Sequence, residues 1–302
     1  MYFRNLTLFR FSPAVAADLN GLDDALAQHR LRDVGPIEFA THGFVSPFGR
    51  ASEQLTLNLS HWTLFTAGGQ DKLLPATVVN DDVARRIQKI AEEEDRRPGG
   101  SERKRIKDDV LHELLQRAFV RSSRLFAYVD VARGWLVVDT SSRKAAENLV
   151  SLVREALGSF PVVPLAPEES PRALLTDWLA TGAMPTGFTL GEECELRDPA
   201  TATGAVARIR RQDMEAEEIR EHLRSGKQVF SLGLVFDDRL SFVLGEDLSV
   251  KRVQLLDVVL DQLDSTAETI EQESTARFAL FTAEISRLLE RLAEIFKLPR
   301  PE

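Results

Sequence analysis

A chain of 302 residues with 43% hydrophobic and 28% charged side chains has the composition of an ordinary globular protein, large enough for one sizeable core or two or three small ones. It contains no run of about 18 apolar residues, which excludes an apolar membrane helix, and a single cysteine, Cys194, which excludes an internal disulfide and fits a reducing compartment such as the cytoplasm. The formal net charge is −9, yet from Arg96 to Arg124 nine Arg/Lys oppose four acids, whereas from Gln254 to Glu302 five oppose ten. Such asymmetry suggests a polyanion-binding surface on an otherwise acidic protein.

In chain order, residues 2–11 alternate as a strand, with Phe3, Phe9 and Phe11 on one face and Leu6 and Leu8 on the other. The alternation and its arginines are unlike the apolar core of a signal peptide. Pro13 breaks the strand, and 14–29 reads as a short helix. Strands follow at 54–60 and 62–67, closed by Gly68 and Gly69. Asn80, Asp81 and Asp82 make a helix start, and Val83, Ile87 and Ile90 recur at helical spacing up to the acidic run at 92–95. ProGlyGlySer at 98–101 ends that helix and starts the next, with Ser101 as N-cap. Two helices so joined form an antiparallel hairpin, flanked by β-like segments and projecting from them.

The second helix carries a puzzle. At about 100° per residue, Ile106, Val110, Leu111, Leu114, Leu115 and Ala118 share one arc, while Arg103, Lys107, Arg117 and Arg121 gather at its two ends. Phe119 then projects to the polar side, among Arg105, Asp108, His112 and Gln116. Either a large aromatic stands exposed there as a contact, or the helix ends before it and its ring folds into the core.

Segments 125–131 and 135–140 form a β-hairpin, and a helix near 142–157 ends at Gly158. ProValValPro at 161–164 is the preferred domain boundary. Beyond it, 173–180 and 215–225 read as helices, and 205–211, 229–235, 240–244 and 250–255 as strands. From about 268 to 297 a long helix carries Phe278, Phe281, Ile285, Leu288, Leu292 and Ile295 in a seam that packs either on its own domain or on a second copy. Sheets and hairpins interleaved with helices favour an α+β fold.

Signatures of catalysis do not emerge. The chain has no phosphate-binding P-loop, no dinucleotide fingerprint and no GxSxG turn. His112-Glu113 begins a HExxH-like string, but Gln116 stands where the second histidine would be. His29, His42, His61, His112 and His222 show no metal-ligand spacing. Cys194 lies in an acidic run that disfavours a thiolate. Neither an enzyme activity nor a cofactor is expected.

Several phrases, in order along the chain, resemble the bacterial recombination-associated protein RdgC family: GFVSPFG at 43–49, KLLP at 72–75, IKDDVLHELLQRAFVR at 106–121, GSFPVVPL at 158–165, LTDWL at 175–179, RQDMEAEEIREHLRSGK at 211–227 and RLSFVLGEDLSVKRVQLLD at 239–257. None is a catalytic signature, so the collinear set carries the resemblance. It implies a non-enzymatic, nucleoid-associated DNA-binding protein: an arch-shaped subunit that forms a ring-like homodimer around duplex DNA, binds with little sequence preference (single strands included) and restrains RecA. It also implies three regions, with 1–77 and 120–160 as centre, 78–119 as helical-hairpin tip and 161–302 as base. Phe119 matches the tip aromatic that enters a pocket on the partner subunit.

For that role the candidate phosphate contacts are Arg96, Arg97, Arg103, Lys104, Lys107, Arg117, Arg121, Arg208, Arg210, Arg211, Lys227, Lys251 and Arg252. The ProGlyGly within the tip linker and Val120 after Phe119 depart from the family pattern. A competing reading is a protein-interaction module acting directly on recombination or replication proteins without DNA. A third, a nuclease, would need a carboxylate cluster that no local motif supplies.

Overall fold

The computed structural model describes residues 3–200, 204–263 and 269–301. The chain runs β1 (Asn5–Phe11), α1 (Pro13–Asp18), α2 (Leu22–Gln28), β2 (Ala40–Val45), β3 (Thr56–Leu59), β4 (Trp62–Leu73), α3 (Ala76–Glu94), α4 (Gly100–Arg117), β5 (Phe119–Asp130), β6 (Trp135–Asp139), α5 (Arg143–Leu157) and β7 (Val162–Pro164). It continues through α6 (Pro171–Thr181), β8 (Phe188–Arg197), β9 (Val206–Arg210), α7 (Glu217–Arg224), β10 (Gln228–Phe236), β11 (Leu240–Gly245), β12 (Val250–Leu255), α8 (Asp257–Leu260) and α9 (Ile270–Phe296).

All named strands pair antiparallel in one sheet of order β2-β4-β5-β6-β1-β12-β11-β10-β8-β9, with β3 also on β4 and β7 on β1. This is the α+β class. The first-half and second-half strands meet where β1 pairs β12, through Asn5–Lys251 and Leu6–Val250. ProValValPro is part of the sheet: Val162–Pro164 pair with Phe9–Phe11.

Two layers of helix bury the sheet. Phe9, Phe11, Leu136 and Val138 face α2 and α5 through Leu26, Leu149 and Val153. Leu6, Leu8, Tyr128 and Val137 face the opposite side with Phe278, Phe281 and Ile285 of α9. Phe3 joins this second group, 5.4 Å from Phe281 between ring centres. It does not share the face of Phe9 and Phe11, because the strand begins only at Asn5 and alternation is lost before it.

The long seam is thereby settled. Phe278, Phe281, Ile285, Leu288 and Leu292 are buried in the chain's own core and offer no surface to a second copy. A capping box of Thr269 and Gln272 starts α9. Ser142 and Ser170 cap α5 and α6, and Gly158 and Gly182 end them in the left-handed conformation.

The hairpin stands at the end of a ribbon. β4 and β5 pair over twelve residues, from Trp62–Asp130 to Leu73–Phe119, and residues 119–124 of β5 are exposed. From that end α3 and α4 extend roughly 28 Å, at 1.5 Å per residue. Their shared core is small: Val79, Ile106 and Val110, with Val83, Ile87 and Leu114 partly buried around them. The first helix starts at Ala76, directly after Pro75, and not at Asn80. Pro75 takes extended backbone that terminates β4, and burial of Val79 outweighs the weak helix preference of Thr77, Val78 and Val79.

A candidate nucleic-acid interface

The sequence left two fates for Phe119, and the structure takes half of each: the helix ends before it, yet the ring is exposed. α4 ends at Arg117, Ala118 turns extended, and Phe119 opens β5 with 83% of its surface exposed. The ring lies neither on a helix face nor in the core. Arg121 likewise sits on the ribbon, where it pairs with Asp71 at 3.4 Å, and not on α4. Ile37, Phe39, Leu73, Val78 and Val120 are also exposed and lie at this corner, where Lys72 N donates to the Phe39 carbonyl. They make six of the nine large hydrophobic residues that stand exposed among the described residues, a concentration that marks a contact surface.

The candidate cations of the hairpin divide by partner. Arg96 is held by both oxygens of Glu102, at 2.7 and 2.8 Å, and by Glu94. It closes the α3–α4 loop, and these bonds raise its pKa further. Arg103 donates Nε to the Pro98 carbonyl at 3.0 Å. Arg97, Lys104, Lys107 and Arg117 are exposed and no ion pair holds them among the described residues. Arg86, which bridges to Glu113 at 2.6 Å, fastens α3 to α4, and Arg117 adds a weaker attraction to the same carboxylate.

A second group lies on the face of the sheet away from α9. Glu193 stands opposite Arg210, and Glu195 opposite Arg208, in the β8–β9 pair. Glu195 also binds Arg197, and Glu193 also binds Arg252. Each carboxylate thus serves two arginines and leaves the face net positive. Burial opposes ionisation of Glu195, but hydrogen bonds from Arg208 and Arg197 outweigh it and hold the carboxyl below its ordinary value. Such exposed pairs are worth about 0–1 kcal/mol each, so a phosphate can compete for the arginines.

Arg252 reaches Glu193 over β11 and β10. Three strand spacings of about 4.8 Å would put them beyond side-chain reach on a flat sheet. The irregularities in β10 and β11 curl the sheet towards this face. The result is an open groove of about 580 Å³ lined by Arg210, Arg211, Arg252, Glu193 and Gln254 and floored by Gly191 and Gly233. A Cβ on Gly191 would come within 2.9 Å of the Gly233 backbone, so the floor requires glycine. Arg211 and Lys251 carry no ion pair among the described residues, whereas Lys227 donates to His222 Nδ1 and Ser225 Oγ.

Three further cations, Arg50, Lys72 and Arg124, were not among the sequence candidates, and Lys72 Nζ is taken by the Pro36 and Leu115 carbonyls. Arg124 lies over the Phe126 ring and donates to the Ser46 carbonyl; burial and the neighbouring Arg50 lower its pKa. The long cross-strand run of β4 and β5 was the signal that could have placed Lys72 and Arg124; Arg50, between β2 and β3, had none. Among the described residues, no group of three or more His, Cys, Asp or Glu is arranged to hold a metal ion. No helix there is long and apolar enough to cross a membrane.

The chain matches over residues 1–298 a family model described as "Putative exonuclease, RdgC". It is 49% identical over its whole length to the full-length recombination-associated protein RdgC of Xanthomonas campestris pv. campestris (strain B100). The same identity and full coverage hold for the proteins of that name from Xanthomonas axonopodis pv. citri (strain 306) and Stenotrophomonas maltophilia (strain R551-3). The order of motifs, the full-length match and these relatives agree: the chain belongs to the RdgC family of recombination-associated proteins.

Proposed function

We propose that this protein binds DNA without sequence preference, as a homodimer that closes around the duplex, and thereby restrains RecA-dependent recombination on the nucleoid. The observation that carries the reading is the set of exposed cations that no ion pair holds among the described residues, Arg97, Lys104, Lys107 and Arg117, on a chain of net charge −9. Exposed cations outside ion pairs are what sequence-independent phosphate contact requires. The concave basic face adds arginines whose present partners a phosphate can displace. Acids elsewhere disfavour DNA wrapping around the outside.

In this reading the subunit is an arch with residues 78–119 as tip, 1–77 and 120–160 as centre and 161–302 as base. The apolar corner around Phe119 supports a second copy as its occupant, since a two-fold axis makes one patch complementary to itself. The same corner is also what a protein-interaction module acting on recombination proteins would present, which keeps that as the second reading. The protein is taken to act by binding, not cleavage. Incubation of labelled single- and double-stranded DNA with protein and Mg²⁺ or Mn²⁺ tests this: intact DNA is expected, and stoichiometry-independent shortening would overturn it. DNA-free association with RecA would favour the second reading.

A further inference from the structure

Arg10 is out of place for an arginine. It lies on β1, on the face that α9 covers, and is only 8% exposed. Its Nε is buried without a hydrogen-bond partner, and no ion pair holds it among the described residues. What it has is the Trp135 ring, 4.1 Å from its guanidinium carbon. Beside it stands a second guanidinium, Arg300, whose Nε is also buried and unpaired and whose Nη1 donates to the Ala132 carbonyl at 3.1 Å. Arg300 packs so closely on Gly134 that a Cβ there would come within 2.7 Å of its Nε.

The acids nearby are already engaged. Asp130 accepts from Trp62 Nε1 at 3.1 Å and from Arg133 N at 3.0 Å, and pairs with the Arg133 guanidinium. Arg133 also takes Glu290 and donates to His61 Nε2 at 2.8 Å. Three guanidinium groups therefore face two carboxylates, both held by Arg133. Burial and repulsion from Arg300 outweigh the attraction of Asp130 and push the Arg10 guanidinium down to about 10. A buried guanidinium beside a second, half-buried one is costly unless an anion bridges them.

The geometry points to an anion subsite in which Arg10 and Arg300, beside the Asp130–Trp135 turn, hold one phosphate group. Two planar forks of donors match phosphate oxygens better than they match a single carboxylate. None of these residues is among the cations assigned to DNA above, so the subsite is independent of that reading. The phosphate is either free inorganic phosphate or one of a DNA backbone.

Thermal unfolding and calorimetric titration of the full-length protein with sodium phosphate, against sodium chloride and acetate at matched ionic strength, test it. A saturable rise in Tm specific to phosphate is expected. Arg300→Gln, checked for native far-UV circular dichroism, should weaken phosphate affinity at least about tenfold. Arg10→Gln is read only for loss of the phosphate response, because the buried Trp135 stack affects Tm in its own right. An equal rise with acetate or chloride, or a phosphate response retained in Arg300→Gln, would overturn the proposal. The source follows from duplex binding: a salt slope lower by about one in Arg300→Gln assigns a backbone phosphate, and an unchanged slope assigns free phosphate. The phosphate arm contains no DNA, so its failure leaves the DNA-binding reading standing.

Discussion

Leu73 and Phe119 stand directly opposite each other at the last rung of the β4–β5 ribbon, both exposed, at the point where the chain leaves for the helical hairpin and returns from it. An antiparallel pair so placed presents both side chains on the same face. Since neither the hairpin core nor the sheet core uses Phe119, its removal separates assembly from folding. Phe119→Ala should leave Tm and circular dichroism unchanged within about 0.5 kcal/mol of stability. Dimer association, followed by sedimentation velocity, should weaken by about 2 kcal/mol, a roughly thirtyfold rise in Kd. A variant that stays dimeric at the wild-type Kd would remove Phe119 from the interface.

The hairpin cations should act through phosphate contact alone. Lys104→Glu with Lys107→Glu should leave Tm near the wild-type value, since no ion pair is lost, whereas Arg117→Glu should lower it slightly, because it sets a like charge beside Glu113 in the last turn of α4. Each phosphate contact removed should reduce the slope of log Kobs against log salt by about 0.9. Neutralising Glu290 or Glu294 in the acidic C-terminal segment should not weaken binding. Equal weakening by both sets would contradict the division into a basic inner and an acidic outer surface.

Glu193 and Glu195 restrain the arginines of the concave face. Glu193→Gln releases Arg210 and Arg252, and Glu195→Gln releases Arg197 and Arg208. Each should tighten duplex binding by about twofold or more, because an exposed pair worth about 0.5 kcal/mol no longer competes. Weaker binding in fluorescence anisotropy would mean that these arginines face away from DNA.

A different pair holds the fold. Arg239, in the β10–β11 turn, gives two hydrogen bonds of 2.9 and 2.6 Å to Glu284 of α9, whose side chain is 6% exposed. The bond to Glu284 raises the Arg239 pKa. Glu284→Ala strands the guanidinium and should cost roughly 3 kcal/mol in urea unfolding. Loss of less than about 1 kcal/mol would show that water replaces the carboxylate there.

Cys194 should be inert while the chain is folded. Burial, with Glu193 adding repulsion, pushes its thiol up to about 12. At pH 8 the thiolate fraction is then about 10⁻⁴, against roughly a quarter for an ordinary thiol. Disulfide reagents should therefore label it only after denaturation. Rapid labelling of the native protein would show that β8 opens.

How much of this was readable in the residues depended on burial. β10, β11, β12 and α9 were legible because their apolar residues recur at periods of two or of three and four. β8 was not: Cys194 and Leu196 alternate inward, but Glu192, Glu193 and Glu195 disguise the strand as an acidic loop. With β8 unseen, the pairing of Arg208, Arg210 and Arg252 to its carboxylates could not be foreseen. Residues 119–124 of β5 likewise lack any periodicity, since an exposed ribbon buries neither face, and the sequence left Phe119 open between the preceding helix and its end and placed Arg121 on that helix. β2, with Gly43 inside it, gave no strand pattern at all. The hairpin itself was clear from its break at ProGlyGly.

Duplex binding across a salt series, with two unrelated sequences and no metal, tests the central claim most directly. The account predicts equal affinities for the two sequences, falling together as salt rises, with a slope that Lys107→Glu reduces. No binding at low salt, or an affinity that ignores salt, would contradict it.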